Sequence, residues 1–179
     1  LEEAVLTEQG QTVEKPAGCA ADLSVSANIP DRYVPSAEQR MDLYRRIAAI
    51  RSESDADDLV DELIDRYGEP PRPVNNLISV ALLRCAASAA GITDISQKAG
   101  CLLLSLPKFD LAAVSALCAG SKYKGRLLFS AGDKPYLSLR LRKGEDPLRA
   151  ARALVADYAA QLARSAGKVV FFAKHIDVM

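Results

Sequence analysis

From Pro35 the apolar residues of this chain keep one spacing as far as Gly91 and then change it, and that change limits the fold more than any other feature. Before Gly91 they recur every three or four positions, the period of a helix with one buried face. After it, alternating or short block-like apolar runs of the strand kind are interleaved with two further helical stretches. Val74, Leu77, Ile78, Ala81, Leu82 and Cys85 keep helical spacing while Val80 and Leu83 fill other sides. A helix apolar on most faces lies centrally, and this one should stop at Gly91.

Two helices precede it. Ser36 followed by Gln39 reads as a capping box, in which hydroxyl and amide satisfy backbone donors left orphaned at a helix start. Leu43, Tyr44, Ile47 and Ile50 then predict a helix over about 37–51. A second start is expected at Ser54, with Asp55, Asp57 and Asp58 in the first turn, where the helix dipole favours negative charge. Its inward stripe is Leu59, Val60, Leu63, Ile64 and Tyr67, and Gly68 ends it. The connector Glu69-Pro70-Pro71-Arg72-Pro73 is stiff, and its last proline suits the first turn of the central helix.

Beyond Gly91, Ile92 with Asp94-Ile95 and Cys101–Leu106 read as two strands joined around Lys98-Ala99-Gly100. Leu111, Val114, Ser115 and Cys118 predict a short helix ended by Gly120. Arg126–Phe129 and the alternation of Tyr136, Leu137, Leu139 and Leu141 predict a second hairpin across Ala131–Pro135. Asp146 caps a last helix, Pro147 fills its first turn, and Leu148, Ala151, Val155, Tyr158 and Leu162 line one side. The expected class is α+β: three helices, then hairpin, helix, hairpin, helix, with antiparallel strands packed on helices. Residues 1–29 read as linker, with a short strand at Leu23, Val25 and Ala27. Residues 30–163 read as the domain, and 164–179 as a tail that is either a strand through Val169-Val170-Phe171-Phe172 or disordered.

Composition excludes several functions. With 23 basic and 23 acidic residues the net charge is zero, so no global field draws nucleic acid or an anionic membrane. The acidic start (Leu1, Glu2, Glu3) lacks the basic and apolar regions of a signal peptide, and no apolar run approaches the roughly 20 residues that span a bilayer. The first residue being Leu predicts an excised fragment. Cys19, Cys85, Cys101 and Cys118 form no C-x-x-C, and they read as reduced core thiols of a cytoplasmic protein. Neither common phosphate-cradle motif occurs, and His175 is the single histidine. No catalytic residue, metal site or cofactor site is therefore assigned, and the carboxylates between Glu53 and Asp65 crowd one helix instead of facing each other across a cleft.

Two charged groups remain. Lys122, Lys124, Arg126, Lys134, Arg140, Arg142 and Lys143 form a basic set near Tyr123 and Tyr136, readable as a phosphate-contacting surface or as a sheet edge kept from pairing by its charges. On the second helix the inward stripe turns Glu62, Asp65 and Arg66 outward, with Asp58 one turn before and Asp61 alongside. Such a patch either accepts bidentate bonds from arginines of another protein or is a solvated helix face.

The stretches Ile29-Pro30-Asp31-Arg32-Tyr33-Val34, Gln39–Ala48 and Asp61-Glu62-Leu63-Ile64-Asp65-Arg66-Tyr67-Gly68-Glu69-Pro70-Pro71, in that order, resemble the carboxy-terminal (TRCF) domain of the bacterial transcription-repair coupling factors. The likeness is strong over about 20–90, rests on element order over 91–163, and has no counterpart for 164–179. Leu1–Val5 resembles the end of the preceding translocase module. The resemblance implies a parent that is an ATP- and magnesium-dependent double-stranded DNA translocase, which displaces stalled RNA polymerase and recruits nucleotide excision repair through UvrA. It further implies a domain with no ATPase motif that folds back on the amino-terminal UvrB-like module, masks the UvrA-binding surface and restrains translocation. The family's contact residues fall on Glu62, Asp65 and Arg66, and the carboxy-terminal extension is a departure from the family's pattern.

Overall fold

The computed structural model describes residues 18–176, with side chains through residue 167. Three helices come first: α1 (Ala37–Ala48), α2 (Glu53–Tyr67) and α3 (Arg72–Ala89). Ser36 caps α1 by accepting from the Gln39 amide at 3.3 Å, but the Gln39 side chain does not close a box and instead accepts from the Tyr67 hydroxyl at 3.1 Å. The cap of α2 is Ser52, two residues before the expected Ser54. Ser52 accepts from the Asp55 backbone at 3.1 Å and the Asp55 carboxylate accepts from the Ser52 backbone at 3.0 Å, a complete capping box in which Asp replaces the usual Glu. Gly68, at φ +81°, ends α2 in the left-handed region.

Beyond α3 lie β2 (Asp94–Lys98), β3 (Cys101–Ser105), α4 (Leu111–Ala119), β4 (Leu127–Ser130), β5 (Tyr136–Arg140) and α5 (Pro147–Ile176). Together with β1 (Ala20–Asp22) the strands form one sheet of order β1-β2-β3-β5-β4. The pair β1–β2 is parallel and the others are antiparallel. Ala99 and Gly100 both take positive φ (49° and 74°), so a two-residue turn of the kind matched to strand twist joins β2 to β3. The fold class is α+β, as the change of period implies.

Side chains alternate across the sheet. Ile95, Leu104, Leu137 and Phe129 share one cross-strand row, with Leu102, Leu139 and Leu127 beside them, facing α3, α4 and α5. The other face carries Ser96, Leu103, Ser138 and Leu128 in its middle row. Two apolar clusters result. One joins the inner sheet face to α4, α5 and the end of α3; the other joins α1, α2 and the start of α3 with Ile29 and Val34. Helix α3 contributes Val74 and Ile78 to the second, and Leu83, Ala87 and Ala90 follow it into the first.

Several further expectations are corrected. The amino-terminal strand is Ala20–Asp22, not Leu23–Ala27; Leu23 and Val25 pack on the core without ladder bonds, so burial alternates where pairing does not. Thus the stretch 18–29, grouped with linker from sequence, supplies both a strand and the buried side chains of Cys19 and Ile29. Residues 169–172 are not a strand, because α5 continues through Ile176; a helix already nucleated propagates at little cost through residues that locally favour strands. Ile64 is 38% exposed and stands at the rim of the α2 stripe, not within it. All four cysteines are free thiols, yet only Cys19 is fully buried, its thiol pushed up to about 11, chiefly by burial.

Candidate docking surface

Helices α1 and α2 both lean on α3, and a groove of about 360 Å³ separates them, lined by Arg46, Ala49, Ile50, Asp55, Asp58, Leu59 and Glu62. Glu62 crosses it. Its two carboxylate oxygens accept from the two terminal nitrogens of Arg46, a fork-to-fork pair, and Oε1 also accepts from Arg66 at 3.1 Å. Arg66 lies over the Tyr67 ring at 5.1 Å, and Tyr67 in turn meets Tyr33 with ring centroids 5.8 Å apart. The Tyr33 hydroxyl donates to the Gly68 carbonyl at 2.8 Å, which ties the 29–35 segment to the end of α2.

These contacts divide the five residues singled out from sequence. Glu62 and Arg66 are outward, as expected, but joined to each other and to Arg46. Asp58, Asp61 and Asp65 are exposed and have no hydrogen bond or ion pair among the described residues. With Glu62 they stand at i, i+3, i+4 and i+7, one row along α2. Arg46 is the residue sequence reasoning missed. No periodicity signals it, since its nearness to Glu62 follows from how α1 and α2 seat on α3.

The Arg46 hydrogen bond, then that from Arg66, holds the Glu62 carboxyl down from 4.5 to about 2. A depressed folded value means the ionised form belongs to the native state. Its stabilising contribution is whole above pH 4.5 and is lost as pH falls through about 2. Because the side chain is 37% exposed, screening keeps that contribution small. The melting difference between the wild type and Glu62→Gln should therefore narrow across this window. A difference independent of pH would remove Glu62 as its source.

The basic set is dispersed. Lys122 donates to Asp157, which also accepts from the buried Tyr123 hydroxyl; burial, then this bond, pushes the Tyr123 phenol well up. Arg126 makes two bonds to Glu145, at 3.0 and 3.1 Å. Lys124, Lys134, Arg140 and Lys143 have no carboxylate partner among the described residues. No group of three or more Cys, His, Asp or Glu is placed to hold a metal among those residues, and none of their helices is long and apolar enough to cross a membrane.

A sequence profile of the family described as the TRCF domain matches residues 23–114, about half of the chain. A protein of Mycobacterium bovis named transcription-repair-coupling factor is 36% identical over 122 residues, covering 64% of this chain and 10% of that protein. The Escherichia coli protein of the same name is 33% identical over 81 residues, 44% of this chain and 7% of that one. The Bacillus subtilis protein is 26% identical over 135 residues, 75% and 11%. The chain thus spans about a tenth of the length of these relatives. A crystal structure described as the C-terminal domain of transcription-repair coupling factor superposes with a TM-score of 0.70 at 18% identity, covering 82% of this chain and 94% of that one.

Proposed function

Because this chain belongs to the TRCF domain family, we propose that it is the non-catalytic, autoinhibitory carboxy-terminal domain of a transcription-repair coupling factor. In this reading α2 docks on the UvrB-like amino-terminal module of the same protein, masks the surface that UvrA uses, and restrains the ATP-driven translocation that clears stalled RNA polymerase from DNA. What supports it is the row of unpaired carboxylates on α2. Asp58, Asp61 and Asp65 present acceptors with no partner among the described residues, on a helix whose other side is fixed in a core.

The contact divides between two kinds of group. Asp65 meets an arginine of the partner outright. Glu62, already held by Arg46 and Arg66, is a braced acceptor whose geometry is set before docking, and Arg66 keeps donors to spare for a carboxylate opposite. Each contact pair, once partly desolvated, contributes roughly 1–3 kcal/mol. Two or three such pairs hold a closed state that engagement of polymerase can release.

In the full-length protein, Asp65→Ala and the double change Glu62→Ala with Asp65→Ala are expected to raise UvrA affinity and basal translocation, the double change more. Added salt should act in the same direction. The double variant also loses the Arg46 bridge, so its melting curve is read alongside. UvrA binding that is unaltered in Asp65→Ala and in a folded double variant would take these residues out of the mechanism.

A further inference from the structure

We propose that the free edge of β4 takes up an extended, acidic and apolar peptide segment of a partner protein as an added strand. β4 ends the sheet, with β5 on one side and, among the described residues, no strand on the other. Arg140 donates to the Arg126 carbonyl at 2.9 Å, so positions 126, 128 and 130 bond inward to β5. Antiparallel alternation then turns the N–H and C=O of Phe129, and the C=O of Leu127, to the open side. These are the groups an incoming strand would pair with.

Side chains for such a strand gather at the same place. Of six exposed large apolar side chains among the described residues, Phe109, Leu111, Leu128 and Tyr136 lie on or beside β4. Phe109 packs edge-on against Phe129 with centroids 4.7 Å apart, Leu111 opens α4, which packs on β4, and Tyr136 faces Ser130 across the ladder. Leu128 stands on the outer face, 67% exposed. Leu128 on the outer face and the Phe109–Phe129 pair on the inner one give alternate residues of an added strand apolar ground on both faces.

Charge selects the partner. Edges are protected from pairing by shortness, by a covering element, or by charge, proline or a bulge within the strand. β4 is short, but its residues Leu127, Leu128, Phe129 and Ser130 include no charge or proline and pair in unbroken register. The cations lie beyond its two ends instead, at Lys124 before it and Lys134 after it, neither with a carboxylate partner among the described residues. In that position they do not block a strand; they favour one with acidic ends. No residue of α2 takes part, so the inference stands apart from the docking role.

The test uses this chain and a capped octapeptide of alternating glutamate and valine, followed by fluorescence anisotropy and residue-resolved amide exchange. The expected result is saturable binding that weakens with salt and slows exchange at the Phe129 amide. Lys124→Glu with Lys134→Glu, both on exposed turns, should weaken binding by roughly fivefold or more. Leu128→Glu should weaken it as well, and if that variant melts early the lysine pair decides alone. Absence of binding, or protection elsewhere, overturns the proposal. So does a single-stranded oligonucleotide that binds this edge with a steep salt slope while the peptide does not. Concentration-dependent dimerisation that protects Phe129 without peptide would make a second copy the occupant and equally overturn it.

Discussion

Leu104→Ala is expected to cost about 2–5 kcal/mol of folding stability. For a chain of this size each kcal/mol lowers the melting temperature by roughly 2–4 °C. β3 lies in the middle of the sheet, and Leu104 sits between Ile95 of β2 and Leu137 of β5 in one inner row, fully buried. Truncation there removes transfer energy and leaves a void that a ladder on both sides cannot close. The adjacent Leu103 faces outward and is only partly buried, so Leu103→Ala should cost under about 1 kcal/mol. Denaturant titration of the two variants reads the difference. Equal losses would mean that the two faces of the sheet have been assigned wrongly.

Arg126→Ala is expected to be nearly as damaging, at about 2–3 kcal/mol, because it strands a charge. Arg126 and Glu145 are 13% and 24% exposed, and their double hydrogen bond ties the start of β4 to the loop between β5 and α5. Glu145 also accepts from the Arg142 backbone at 2.8 Å. Without the guanidinium, that single donor faces a mostly buried carboxylate whose desolvation is no longer offset. Its remaining exposure places the loss below that of a fully buried pair. The double change Arg126→Ala with Glu145→Ala should recover part of the loss, since no unpaired charge remains. A double-mutant cycle in denaturant measures this, and strict additivity would refute the coupling.

Much of the fold was legible because local signals and packing agreed. Gly68 ends α2, Gly120 follows α4, and Asp146 caps α5 by accepting from the Leu148 and Arg149 amides, all where turn and cap chemistry placed them. Where sequence failed, another force outweighed the local one. β1 is three residues long and is defined by its pairing with β2, about seventy positions away, which no local period can announce. The Val169–Phe172 run has the composition of a strand, but it lies downstream of a helix that simply continues. On the candidate surface the outward row of α2 could be read from one helical stripe. The tie from Glu62 to Arg46 could not, because it depends on the seating of two helices against a third. That tie changes the chemistry of the patch, from five free charged groups to three free carboxylates beside a fixed ion triad.

Because α3 is built into both apolar clusters, the chain has no seam. Cutting it after Ala90 would leave Leu83 and Ala87 bare on the amino-terminal piece, and cutting it before Arg72 would strip α1 and α2 of the surface they rest on. Force applied at the acidic face therefore runs down a single rod to the sheet, and the two halves should melt as one unit.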